Sequence, residues 1–157
     1  MKYTHEIYIC ELREPLDLTA LCLDHSEIKR SPFYCMHWRQ FGILCQLYPS
    51  GKILCHSSLR VLSQYLEVLA KPVKEIRLST RSAVHDLKGK VNYHKLCREL
   101  PNVSYKPEIF HAALLKCGSI NFTIFQSGKV CITGIKTSED EDDIVMPILL
   151  ELELCVF

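Results

Sequence analysis

The chain contains no pair of cysteines at C-x-x-C spacing and no two histidines placed to share one helix face, although nine cysteines and seven histidines are spread along its 157 residues. Zinc sites are assembled from such pairs, so no metal site is expected. The cysteine count is odd and the thiols stand singly, at Cys10, Cys22, Cys35, Cys45, Cys55, Cys97, Cys117, Cys131 and Cys155. An oxidised secreted domain would use them in pairs; here they are expected to be free, buried and to act as small hydrophobes. Long apolar runs are missing, and the opening MKYTHEIYIC has neither the basic region nor the apolar stretch of a signal peptide. No membrane partner is expected, and the chain is placed on the cytosolic or nuclear side. Charge of one sign is scarce, because 19 Lys and Arg against 18 Asp and Glu leave a net +1. A protein that lives on phosphate usually has a clearer basic excess. A local basic patch stays open, since the acidic run Glu139 to Asp143 offsets positive charge elsewhere. Finally, no nucleophile and base set and no glycine-rich phosphate loop is found, so no catalytic residue, cofactor or small-molecule substrate is proposed.

What is present is an ordinary globular composition, 48% apolar and 24% charged, far from that of disordered chains. The length suits one domain, or two small units sharing one sheet. The strongest organising signal is an internal repeat. One copy runs from Phe33 through Ile43-Leu44-Cys45-Gln46-Leu47-Tyr48 to Ser50-Gly51-Lys52-Ile53-Leu54-Cys55. The other runs from Phe110 through Ile120-Asn121-Phe122-Thr123-Ile124-Phe125 to Ser127-Gly128-Lys129-Val130-Cys131-Ile132. In register, Phe33 meets Phe110, Tyr48 meets Phe125, and the Ser-Gly-Lys turns coincide.

On either side of each turn the side chains alternate as in a half-buried hairpin, with Ser-Gly supplying the positive-φ residue of a tight turn. Ile43, Cys45, Leu47, Ile53 and Cys55 are expected to face a core, as are Ile120, Phe122, Ile124, Val130 and Ile132. Leu44, Gln46, Tyr48, Lys52, Leu54 and His56 face the other way, as do Asn121, Thr123, Phe125, Lys129, Cys131 and Thr133. A helix follows each hairpin. The first is capped by Ser57 or Ser58, carries Leu59, Leu62, Leu66 and Leu69 on one stripe, and ends near Pro72. The second is capped by Ser138, has an acidic first turn suited to the helix dipole, and is kinked or delayed by Pro147. The run Glu139 to Asp143 reads either as a solvated helix start or as a docking surface for a basic partner. Before each hairpin lie a strand (6–12; 74–82) and a short helix (roughly 17–24; roughly 92–99). The order strand, helix, strands, helix is thus stated twice, giving repeats at 1–72 and 73–157 within a single domain, 1–157.

In the second half, Tyr105-Lys106-Pro107-Glu108-Ile109-Phe110, Ile124-Phe125, Ser127-Gly128-Lys129-Val130 and Ile132-Thr133-Gly134-Ile135-Lys136 occur in order. This segment resembles the second repeat of the TATA-box-binding protein family. The first half is similar through Leu16-Asp17-Leu18-Thr19, Phe33 and Ser50-Gly51-Lys52. The resemblance implies an α+β saddle: two pseudo-symmetric repeats forming one curved antiparallel sheet, with helices on the convex face. It also implies a transcription initiation factor that binds the minor groove of double-stranded DNA through the concave sheet, wedging aromatic side chains between base steps. By position the wedges would be Phe33, Tyr48, Phe110 and Phe125, and the phosphate contacts Arg39, Lys52, Lys116 and Lys129. Thr133 would be one of the groove-facing threonines. Pro107, Glu108 and Ile109 match the segment that contacts a transcription factor IIB-like partner, although the neighbouring family glutamate is Lys106 here. Such a factor is expected in the nucleus, or in the cytoplasm of a host cell if the protein is viral.

Departures from the family pattern support a second reading. Glu11 stands at an asparagine position and Arg13 at a valine position; Gln46 and Thr123 replace leucines, Cys131 a valine and His56 a threonine. A carboxylate facing the acceptor edge of A·T pairs is repulsive. Both hairpins are also two residues shorter than in the family between the aromatic positions, which removes a phosphate-facing arginine from each. The alternative is a saddle that no longer binds DNA and serves as a scaffold between proteins.

Overall fold

The computed structural model describes residues 1–30, 35–40 and 43–157, without the side chain of Arg30. Phe33 therefore lies outside the described residues. The chain divides into two compact units, one formed by 5–79 and the other by 1–4 together with 80–157.

The 5–79 unit holds β1 (Lys2–Leu12, from His5 onward), α1 (Leu18–Asp24), β2 (Ile28–Arg30), β3 (Met36–Trp38), β4 (Cys45–Leu47), β5 (Lys52–Cys55) and α2 (Leu59–Leu69). Asp17 starts α1 by accepting the Ala20 amide at 3.0 Å, which satisfies one of the helix's unpaired first-turn donors. Between β4 and β5 the Tyr48 and Gly51 amides bond to the Lys52 and Tyr48 carbonyls, both at 3.0 Å. Gly51 sits at φ +92°, and a Cβ there would lie 2.6 Å from the Glu14 carbonyl oxygen, so glycine is required by both conformation and space. Cys10 on β1 pairs with Ile53 on β5, and Cys45 on β4 with Cys55 on β5. All four are fully buried, as the alternation predicts, whereas Ile43 is only half-buried.

The stripe expected on α2 needs correction. Leu62, Tyr65 and Leu69 are its buried residues, while Leu59 points to solvent. Tyr65 is accommodated because its hydroxyl reaches the carbonyls of Trp38, Gln40 and Ile43, and its ring meets Trp38 edge-on at 4.8 Å. Burial pushes the phenol up to about 12, so it stays a donor. Ser58 occupies the N-cap position without a side-chain hydrogen bond, and the helix closes on Ala70 in the left-handed region, ahead of Pro72.

The other unit contains half of β6 (Val73–Asp86, from Thr80 onward, the first half lying in the 5–79 unit), α3 (Tyr93–Glu99), β7 (Ala113–Cys117), β8 (Ile120–Ile124), β9 (Lys129–Ile135), α4 (Ser138–Asp140) and α5 (Met146–Glu153). Asn92 caps α3 through the Lys95 amide at 3.1 Å. The turn from β8 to β9 repeats the first one, with Phe125 and Gly128 amides bonding to the Lys129 and Phe125 carbonyls at 2.9 and 3.0 Å. Gly128, at φ +95°, is packed so closely that a Cβ would lie 2.1 Å from the Gly89 carbonyl oxygen. Ile120, Phe122, Ile124, Val130 and Ile132 are fully buried. The last helix begins on Thr137, not Ser138: Thr137 and Asp140 form a reciprocal capping box. Pro147 does not stop the helix. A π-helical turn, Glu141–Val145, precedes it, and the proline falls in the first turn of α5, where its missing N–H leaves no interior bond unmade.

Both long strands exceed the expected limits, β1 beginning at Lys2 and β6 running from Val73 to Asp86. The nine strands form one open antiparallel sheet in the order β2-β3-β4-β5-β1-β6-β9-β8-β7. All nine thiols are free. Cys10, Cys35, Cys45, Cys55 and Cys155 are buried as expected, but Cys22, Cys117 and Cys131 are half-buried and Cys97 is exposed on α3.

Candidate nucleic-acid interface

In each unit the helices cover one face of the sheet and leave the other open. Strand alternation decides which side chains stand on the open face.

In the unit completed by 80–157, register places Ser82, Thr133, Asn121 and Lys116 in one row across β6, β9, β8 and β7. Val84, Cys131, Thr123 and Leu114 form the next. The first row offers hydroxyl, amide and ammonium groups. The second is apolar apart from the Thr123 hydroxyl, and it presents Leu114 to solvent. Beyond the second row, at the hairpin end, stands Phe125. Its ring is 5.5 Å from the imidazole of His111, which is 4.7 Å from the ring of Phe110. The two expected wedges are thus brought together through a histidine that the sequence reading did not select. The backbone holds Phe110 by a turn in which the Ile109 and Phe110 amides bond to the Lys106 carbonyl at 2.9 and 3.0 Å. That turn projects Pro107, Glu108 and Ile109 into solvent, Ile109 being 75% exposed. Lys116, Lys129 and Thr133 are exposed on this face.

In the 5–79 unit the corresponding row is Ile9, Leu54, Gln46, His37 and Lys29. Only its Ile9 end is apolar in the manner of the other unit. Gln46 Oε1 accepts from His56 Nε2 at 2.9 Å, the Gln46 amide nitrogen lies 3.5 Å from His37 Nε2, and the His5 ring is 6.1 Å from that of His56. Burial, reinforced by the neighbouring His5 and His37, holds His56 below its ordinary pKa of 6.5. Arg39 follows His37 on the same side, exposed, and Glu27, Lys29, His37 and Arg39 line a shallow cavity of about 520 Å³. Tyr48 is half-buried, with the Lys52 ammonium 5.8 Å from its ring centre. Glu11 is opposite Lys52 in register and lies 3.5 Å from the Arg77 guanidinium, so its negative charge faces a cation on the neighbouring strand.

The open faces offer the cationic groups of the lysines and Arg39 to an anion, and aromatic rings to a stacking partner. Among the described residues no cluster of His, Cys, Asp or Glu is arranged to hold a metal.

Residues 75–153, half of the chain, match the family described as transcription factor TFIID (or TATA-binding protein, TBP). The TATA-box-binding protein of Thermoplasma acidophilum is 26% identical over 164 residues, covering 90% of this chain and 88% of that protein. TATA-box-binding protein 3 of Methanosarcina mazei is 28% identical over 111 residues, 60% of each chain. The solved structure of the Methanococcus jannaschii TBP superposes with a TM-score of 0.82 over 98% of both chains at 21% identity, which shows the same saddle fold. This chain belongs to the TATA-box-binding protein family.

Proposed function

We propose that this chain is a diverged TATA-box-binding-protein-like initiation factor that binds double-stranded DNA in the minor groove, bends it, and recruits other factors such as a transcription factor IIB-like protein. It acts by binding and deformation, with no enzymatic step. The reading rests chiefly on the Phe110, His111 and Phe125 stack at the end of an open face that also carries Lys116 and Lys129. Phenyl rings inserted at a base step offset the cost of unstacking it, and the bend lets more of the duplex meet the protein. Pro107, Glu108 and Ile109, exposed beside this stack, suit the recruiting contact. A nuclear location follows from this role, or the cytoplasm of a host cell for a viral protein.

One observation favours the scaffold reading instead. The open face of the 5–79 unit is occupied by Glu11 and by a hydrogen-bonded His37, Gln46 and His56 set, polar groups that cost free energy to desolvate against a groove. A titration of A·T-rich and G·C-rich duplexes over a range of salt separates the two. Binding whose logarithm falls linearly with log salt supports the DNA reading, and no binding to either duplex at low salt supports the scaffold.

A further inference from the structure

We infer that the outer face of α5 and the acidic turn before it form a docking surface for a basic amphipathic helix of another protein. All 19 Lys and Arg and 11 of the 18 Asp and Glu precede Thr137, so 137–157 carries seven carboxylates and no basic side chain. Three of the seven are engaged within the fold. Asp140 completes the helix cap, Glu141 accepts the Tyr3 hydroxyl, and Glu153 lies 3.7 Å from His85. Glu139, Asp142, Asp143 and Glu151 are exposed, and none has a Lys or Arg ion pair among the described residues.

Between these carboxylates lies an apolar stripe. Val145, Leu149, Leu152 and Cys155 fill the inner face of the helix and are buried. The opposite side presents Met146, Leu150 and, at the C-cap, Leu154, the last two being 59% and 70% exposed; Phe157, 82% exposed, lies past the helix end with its amide bonded to the Lys90 carbonyl at 3.0 Å. The four-residue spacing of Met146, Leu150 and Leu154 keeps them on one helical face, and an exposed apolar stripe bordered by these carboxylates marks an interaction site; a cation, Lys95, stands at its far end, its ammonium donating to the Leu154 carbonyl. Beside it, Lys95, Glu99, Glu151, Leu154 and Cys155 line a cavity of about 520 Å³ between α3 and α5, able to take an aliphatic side chain or a lysine stem.

The charge selects the occupant. A helix with an apolar stripe flanked by Lys or Arg satisfies both features. A second copy docked through this face would set seven carboxylates against seven, and an anionic lipid surface would be repelled. This surface is independent of the open sheet faces, so it stands or fails separately from DNA binding.

The test uses the full chain, labelled with 15N, and a synthetic 18-residue peptide of leucine and lysine at amphipathic helical spacing, compared with the same peptide carrying glutamate for lysine. The expected result is amide shifts confined to 139–157 and α3, with binding at least about tenfold weaker for the glutamate peptide. Leu150→Ser with Leu154→Ser should weaken the lysine peptide about tenfold, because both side chains are exposed and their loss leaves the core intact. Asp142→Asn with Asp143→Asn should do so severalfold and flatten the salt dependence, while DNA titrations of these variants stay unchanged. Equal binding of both peptides, shifts elsewhere, or binding indifferent to the leucine changes would overturn the proposal. So would sedimentation showing self-association abolished by Leu150→Ser, which would assign the face to a second copy.

Discussion

The imidazole of His111 stands 5.5 Å from the ring of Phe125, tilted by 44°, and so joins that phenyl to Phe110 in one aromatic stack at the end of the open face. Three rings in contact limit one another's rotamers, and a pre-ordered wedge loses less entropy on insertion than a free one. Phe110→Ala and Phe125→Ala are each expected to weaken DNA binding about tenfold or more, and to reduce bending measured by fluorescence transfer between duplex ends. The estimate follows from the roughly 1.5–3 kcal/mol that burying one phenyl contributes. His111→Ala should weaken binding less and leave the bend angle nearly intact. A His111 change that abolished bending while the phenylalanine changes did not would contradict this arrangement.

Lys52 and Lys129 occupy the same place in the two hairpins, one residue beyond a glycine at positive φ. Alanine at either is expected to weaken binding to A·T-rich and G·C-rich duplexes alike. The slope of log affinity against log salt should fall by about one counterion each. A loss confined to one sequence would assign the lysine to base reading instead.

Glu11→Asn should strengthen duplex binding, because it removes a carboxylate from the open face and leaves Arg77, now 3.5 Å from Glu11 and 3.3 Å from Glu75, with one carboxylate in place of two and so freer to meet a phosphate. Salt titration distinguishes the two contributions. If Arg77 is the main gain, the variant's salt dependence steepens by about one counterion, and Glu11→Asn with Arg77→Ala returns it to the parent value.

Three glycines test how the backbone is held. Gly51, Gly128 and Gly118 all have positive φ, but a Cβ on Gly118 would meet nothing within 4 Å, whereas those on Gly51 and Gly128 would strike backbone carbonyls. Gly118→Ala should cost about 1 kcal/mol in chemical denaturation, the strain of a left-handed residue. Gly128→Ala should cost several times as much, and Gly51→Ala should fall between.

Below neutrality the fold should lose stability through His56. Its folded pKa is depressed, first by burial and then by His5 and His37. The unfolded chain therefore takes up a proton more readily than the folded one as pH falls below about 6.5. Stability should be full above that value and decline from it through the lower folded pKa. Urea midpoints from pH 7.5 to 5 should show this slope, and His56→Gln should reduce it.

The repeated hairpins were legible because their determinants are local: alternation over five residues, a glycine at the turn, and a lysine after it. The same holds for α1 and α3, whose caps Asp17 and Asn92 bond to amides three residues on. Tyr65 was not legible as core, because the carbonyls that satisfy its hydroxyl belong to residues 22 to 27 positions earlier and leave no local pattern. Thr137 was passed over for its neighbour Ser138 since either hydroxyl can cap, and only the reciprocal bond from Asp140 decides between them. Nor does spacing reveal a π turn, which absorbs Pro147 by a change of hydrogen-bond register. Of the candidate site, the aromatic and basic positions were read from the repeat. His111 was missed because its counterpart in register is Tyr34, so the repeat keeps a ring there but not the residue, and the Glu11 to Arg77 pair because it links strands 66 residues apart.

The hydroxyl of Tyr3 reaches the carboxylate of Glu141, a partner 138 positions further along the chain, and Met1 to Thr4 belong to the unit otherwise made of 80–157. The ribosome therefore releases the first piece of that unit long before the rest exists. During synthesis the 5–79 unit can assemble as soon as it has emerged, whereas residues 1–4 stay an unpaired strand end until the rest of their neighbour β6 has followed, and gain the Glu141 carboxylate only much later. Such an end is open to pairing with another nascent chain. The exposed Lys2 at the start of this strand is the kind of residue that discourages edge pairing, so the hazard is greatest in crowded translation and smallest once β6 has been added.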